Sequence, residues 1–234
     1  MDRRRYLQAL GVGGALSLAG CLDTGGDQGA SVAGPLTLAS ATTAHDSGLL
    51  DALVPEFRDA FGASVRTVPR GTSGALQTAR DGDCGVVLVH ARPLEDEFLR
   101  DGAGVNRRSL MVNDFLVVGP PDDPAGAAGR DPLAAFAAIA DSGATFFSRG
   151  DNSGTHLRER RIWAEAGLDP GGAWYKETGQ GMGNTLVAAG EVGAYTLTDR
   201  GTFLNVEHGL AAHVDRGIDD PPPLLRNEYG VIPT

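Results

Sequence analysis

The sequence predicts an α/β fold, on three observations. Strand-like and helix-like segments alternate from Leu36 onward. Cys84–Val89 is a short continuous apolar run, as expected of a strand covered on both faces of a parallel sheet. Three loops of Ser, Thr and Gly each fall between a strand and the start of a helix, which is where open α/β sheets bind ligands.

Residues 1–21 read as an export address. Arg3-Arg4-Arg5-Tyr6-Leu7 is a charged opening, Leu10 to Gly20 is a short apolar run, and Leu18-Ala19-Gly20-Cys21 closes it. That order marks a secretory signal and not a spanning helix. The paired arginines resemble a twin-arginine signal, although Asp2 stands where Ser or Thr is usual. Leu-Ala-Gly-Cys resembles a lipobox, in which Cys21 becomes the lipidated first residue. Residues 22–35 are polar and Gly-rich, a flexible tether that would hold the domain outside the cell, near the membrane surface.

In the folded part, Leu36–Ala39 is a strand and Ser40 to Gly48 a small polar loop. Leu49, Leu50, Leu53, Val54, Phe57 and Phe61 recur at helical spacing, with Asp46 or Ser47 as the cap. Val65–Val68 is a strand, and Gly71-Thr72-Ser73-Gly74 opens a helix to Arg80. Cys84–Val89 precedes a helix fragment at Glu95–Arg100. Leu110–Val118 is a long strand that Gly119-Pro120-Pro121 breaks. Leu133–Ala140 is a helix and Thr145–Phe147 a strand. Ser148–Thr155 leads into a helix through Trp163. A helix at Leu186–Ala189 and a strand at Gly193–Leu197 run into Thr198-Asp199-Arg200-Gly201.

The chain holds 30 acidic against 20 basic residues, and Lys176 is its only lysine. Basic residues cluster only at the N-terminus, which argues against a nucleic-acid partner. The acidic, lysine-poor balance suits a high-salt environment, and ordinary solubility is the plainer alternative. Cys21 and Cys84 are not read as a disulfide: one belongs to the processing signal, the other is a small buried hydrophobe. His45, His90, His156, His208 and His213 form no metal-binding pattern. Asp151-Asn152-Ser153-Gly154 resembles a hydrolase nucleophile segment only superficially, because Gly-x-Ser-x-Gly is missing. The expectation is a binding protein without catalysis or cofactor.

The chemistry that remains is anion binding. A helix N-terminus presents unpaired N–H donors and roughly half a positive charge. Thr42-Thr43, Thr72-Ser73 and Ser153-Gly154-Thr155 each place hydroxyls at such a start, and glycine lets the main chain approach closely. Arg149, four residues before Ser153, adds a guanidinium fork that grips two oxygens.

At these residues a resemblance enters. Ser148–Thr155 resembles the Ser-Arg-x-Asp-x-Ser-Gly-Thr segment of phosphate- and tungstate-binding proteins of ABC importers. Asp46-Ser47-Gly48-Leu49-Leu50, Val89-His90-Ala91, Asn113-Asp114-Phe115, Trp174-Tyr175, Gly179-Gln180-Gly181-Met182-Gly183 and Tyr195–Gly201 resemble the tungstate branch. The resemblance implies a two-lobed, type II periplasmic-binding-protein fold with the ligand in the cleft. It places lobe 1 at 36–114 and 201–234 and lobe 2 at 115–200. It implies a monomer delivering tungstate, or molybdate, to a permease and an ATPase. Thr42, Thr43, Thr72, Arg149, Ser153, Gly154 and Thr155 match ligand-contacting positions, with Ser73, Asp151 and Arg200 as weaker matches. Two departures stand out. Two hydroxyls of the family's threonine run are absent from Ser40-Ala41-Thr42-Thr43-Ala44. And the family continues past Thr234 into terminal helices of lobe 1, without which that lobe would expose apolar surface.

Asp151 keeps phosphate open as the alternative cargo. Hydrogenphosphate donates one hydrogen bond and welcomes a carboxylate, whereas tungstate and molybdate only accept. The same carboxylate would repel them unless it turned away, to Arg149 or to a backbone N–H. An oxyanion sensor without transport is a further alternative.

Overall fold

The computed structural model describes residues 34–234; the export signal, Cys21 and nearly all of the tether lie outside them. Parallel strands β1 (Leu36–Ala41), β2 (Val65–Arg70) and β3 (Val86–Val89) alternate with helices α1 (Thr42–Asp46), α2 (Leu49–Phe61), α3 (Thr72–Arg80) and α4 (Arg92–Arg100). Then follow β4 (Arg108–Gly119), α5 (Pro132–Ser142), β5 (Phe146–Ser148), α6 (Gly154–Glu165), β6 (Tyr175–Glu177) and α7 (Met182–Val192). The chain closes with β7 (Tyr195–Asp199), α8 (Arg200–Asn205), β8 (Ala211–Val214) and β9 (Arg226–Pro233). The strands run in the order β2-β1-β3-β9-β4-β7-β5-β6, with β8 also on β4.

β4 joins the two halves. It pairs antiparallel with β9 up to Asp114, and at Phe115 its partner becomes β7. Its apolar run is continuous because both faces are covered. Phe115 and Val117 enter a core with Phe136, Phe146 and Trp163; Leu116 and Val118 enter another with Met182, Leu186 and Leu210. The first half has its own pair of cores, Val87, Phe98 and Ile232 in one and Leu38, Leu88 and Tyr229 in the other. This is the mixed α/β arrangement, sheets flanked by helices, that the sequence predicts.

Several local expectations are corrected. Ser40 to Gly48 is not a loop: β1 runs on to Ala41 and α1 begins at once. Neither Asp46 nor Ser47 caps α2, whose N-cap is Gly48 at φ 75°, a left-handed turn that favours glycine. Asp46 instead accepts from the Gly183 N–H across the cleft at 2.9 Å, and Ser47 donates to the Ala44 carbonyl. Cys84 lies just ahead of β3, buried and unbonded. The stretch 201–225, expected in lobe 1, packs on the second half. There β8 pairs β4 at Val117–Gly119, and Leu210, Val214 and Leu225 bury in that half's cores. The return to the first half comes at Arg226. A groove of about 260 Å³ opens beside α2, lined by residues including Leu36, Leu53, Phe57 and Val231, and Leu53 and Leu110 are exposed.

Candidate anion-binding site

Strands β1, β2 and β5 hand over to helices at the line where the two halves meet, and four helix starts converge there. The Thr42 side chain at α1 lies 3.5 Å from where a Cβ on Gly181, the N-cap of α7, would stand. A Cβ on Gly71, the N-cap of α3, would stand 3.2 Å from the Asp151 carboxylate and 3.6 Å from Ser153, the N-cap of α6. Ser73 donates to the Asn152 carbonyl at 2.9 Å across the same gap. Arg149 sits among them, only 2% exposed. Its Nε donates to the Gln180 carbonyl at 3.2 Å and its Nη2 to Asp151, leaving Nη1 without a partner among the described residues.

The helix starts are lightly capped. The N-cap residues of α1, α3 and α7 contribute no side-chain cap, and in the first turn of α7 the Gly183 N–H is taken by Asp46 from the other half. On α6, Ser153 Oγ accepts from the His156 N–H, and the Gly154 and Thr155 N–H groups have no intrahelical acceptor. The side-chain donors tell the same story. Oγ of Ser40 and Oγ1 of Thr42, Thr72 and Thr155 are buried without a partner among the described residues, as is Nδ2 of Asn227. Each such group costs roughly 1–3 kcal/mol. Three of them, on Thr42, Thr72 and Thr155, stand at the starts of α1, α3 and α6, an arrangement suited to an acceptor ligand.

The expected residues divide. Thr42, Thr72 and Thr155 bring free hydroxyls, and Arg149 brings a free N–H edge. Gly154 brings its backbone up against the His90 ring, where a Cβ would stand 2.7 Å from the imidazole. Asp151 turns away: one oxygen accepts from Arg149, the other from the Ser153 N–H at 3.1 Å. Thr43 is committed elsewhere, since its Oγ1 lies 2.6 Å from the Tyr229 hydroxyl, which donates to it, and 3.2 Å from His90 Nε2. Ser73 clamps the two halves together. Arg200 is not at the site. Its guanidinium is taken by Asp114, at 2.7 Å through both Nε and Nη2, and by Asp215, so it ties α8 to β4. Burial, reinforced by Arg149 and Arg158, holds His90 down to about 4, so it is neutral near pH 7.

Sequence reading missed the start of α7, although Gly179-Gln180-Gly181-Met182-Gly183 before an apolar helix is a legible signal. It also missed Ser40, His90 and Asn227. His90 and Asn227 are 137 positions apart and carry no local signature.

With this geometry in place, comparisons with known proteins are specific. A family model described as the PBP superfamily domain matches residues 25–233. A Haloferax volcanii protein named for anion binding in an ABC transporter is 52% identical over 251 residues, covering 100% of this chain and 73% of its own. The tungstate-binding protein TupA of Peptoclostridium acidaminophilum is 40% identical over 226 residues, covering 94% of this chain and 78% of its own. Among solved structures, the tungstate ABC transporter protein of Geobacter sulfurreducens superposes with a TM-score of 0.77 at 45% identity, covering 85% and 84% of the two chains. TupA of Desulfovibrio alaskensis G20 superposes with a TM-score of 0.66 at 39% identity, covering 86% and 82%.

Proposed function

This chain belongs to the PBP superfamily and, within it, to the group of tungstate-binding TupA proteins, and on that premise we propose that it captures tungstate outside the cytoplasm for an ABC importer. The observation that carries this reading is the convergence of four helix starts with unpartnered buried donors around Arg149. Charge supports it. Arg149 and Asp151 cancel formally, so a dianion is met chiefly by helix ends. Helices α3 and α6, of 9 and 12 residues, each offer roughly half a positive charge, the single turn α1 adds uncapped N–H groups, and α7, of 11 residues, shares its start with the Asp46 carboxylate.

The choice of ion follows from Asp151. Each of its oxygens already accepts a hydrogen bond from within the protein, so the loop's own carboxylate is engaged by Arg149 and the Ser153 N–H. That favours tungstate or molybdate over hydrogenphosphate. Export by the N-terminal signal, anchoring through a lipid on Cys21, and delivery by a monomer to a separate permease and ATPase complete the proposal. Its lobes are 36–114 with 226–234, and 115–225.

In titration calorimetry, tungstate should bind on the order of 100-fold more tightly than phosphate, because a site of donors leaves a ligand O–H unpaired. Arg149→Ala should remove high-affinity binding, a loss on the order of 100-fold or more. Equal affinities for the two ions would assign the cargo to phosphate, and an unchanged Arg149→Ala would remove that residue from the site.

A further inference from the structure

Asn227 is the second residue of β9 and only 1% exposed. It stands in register with Asn113 at the crossing between the halves, beside the end of β3, where His90 follows Val89. Its Oδ1 lies 2.7 Å from His90 Nδ1. Its Nδ2 is buried without a partner among the described residues.

One arrangement of hydrogens satisfies this whole chain. In it the Tyr229 hydroxyl donates to Thr43 Oγ1, and Thr43 donates to His90 Nε2. The neutral imidazole then carries its proton on Nδ1 and donates it to Asn227 Oδ1. The ring is clamped in place, stacked on Tyr229 at 4.7 Å and 9°, with Gly154 of α6 pressed against it. Asn227 thus has its acceptor end engaged by His90, while its buried donor end has no hydrogen-bond partner among the described residues.

We propose that Asn227 is a direct ligand of the bound oxyanion, donating through Nδ2, and that His90 is the positioning residue that keeps the donor end of that amide towards the cleft. This rests on the oxyanion reading of the site and adds a ligand from β9, the strand that returns from the second half. It also gives His90 a part in selectivity. If the amide turned over, Oδ1 would face a ligand that has nothing to donate, while hydrogenphosphate would offer its O–H.

The test is calorimetric titration of the mature protein and three variants with tungstate and with phosphate. Asn227→Asp keeps the shape and replaces a donor by a carboxylate, so tungstate affinity should fall by about 100-fold or more, and phosphate affinity by less. Asn227→Ala should lose roughly 10- to 100-fold for tungstate, and it is read in place of Asn227→Asp if that variant does not fold. His90→Phe keeps the stack on Tyr229 but frees the amide, so the tungstate-to-phosphate affinity ratio should shrink by about tenfold, which lost packing alone would not produce. Folded Asn227 variants that bind tungstate within threefold of the wild type would overturn the role of Asn227. An unchanged affinity ratio in His90→Phe would overturn that of His90. The wild type is titrated alongside. If it binds neither tungstate nor molybdate, the cargo reading fails, and the variants are judged on whichever tetrahedral oxyanion it does bind.

Discussion

The carboxylate of Asp151 lies in the proposed anion loop, and its two hydrogen bonds run within that loop. By accepting from Arg149 and from the Ser153 N–H, it orients the guanidinium and fixes the turn into α6. From sequence, a carboxylate beside an arginine has two opposite readings; its two hydrogen bonds support the one in which it turns to the protein. Gly154 is a sharper case. Its role is set by His90, 64 positions away in the chain but in contact with it. A methyl group there would stand 2.7 to 2.9 Å from three imidazole atoms, and the ring is pinned by Tyr229, Thr43 and Asn227, so it cannot give way. Gly154→Ala should weaken tungstate binding between about 5- and 150-fold, the range of a 1–3 kcal/mol overpacking cost. Titration that finds no change would show that α6 does not press on His90 in the bound state.

At the scale of elements, α6 carries most of the legible site. Its start, capped by Ser153, is written in Ser-Gly-Thr, and its body was read through Trp163. What the pattern did not reveal is Glu159 inside it, 2% exposed, accepting from Trp163 Nε1 at 3.1 Å and from the Tyr175 hydroxyl at 2.8 Å. Burial raises its pKa to about 7, against hydrogen bonds that favour the charged form. The folded state therefore holds this proton more tightly than the unfolded chain. Its contribution is fully present below about pH 4.5 and is lost as pH rises towards 7. Glu159→Gln keeps the acceptor oxygen without the charge. Relative to the wild type, it should gain up to about 3 kcal/mol between pH 4 and pH 8. Urea denaturation at both pH values measures this, and a pH-independent difference would mean that Glu159 ionises freely in the fold. Elements without a periodic apolar pattern were not legible: α1 is a single turn, β6 has three residues, and β8 depends on pairing with β4.

At the scale of the molecule, a chain of net charge −10 binds an anion. Local donors at the seam between the halves offset the long-range repulsion. Contacts across the gap, Asp46 to Gly183 and Ser73 to Asn152, join helix starts of opposite halves, while Asp114, Arg200 and Asp215 lock the crossing strands behind them. Added salt screens the repulsion, with a Debye length of roughly 3 Å at 1 M, and reaches the buried donors little. Tungstate affinity in 1 M sodium chloride should therefore be at least equal to that in 50 mM, on the order-of-magnitude scale that screening sets. A fall of tenfold or more, the behaviour of a site held by surface charge, would contradict this.

By itself the sequence determined the α/β class, most strands and helices of the first half, three of the four helix starts, and the residue types that make them anion-binding. These are local properties: apolar period, caps, glycine, and hydroxyls next to a helix. The tertiary structure decided which donors remain free, because that depends on partners far apart in the chain. It took Thr43 out of the free donors by giving its hydroxyl to His90, removed Arg200 to the crossing strands, and turned Asp151 away. It also carried the second half on to Leu225, brought Asn227 to His90 and the start of α7 to Thr42, since pairing between distant segments has no signature in either segment alone.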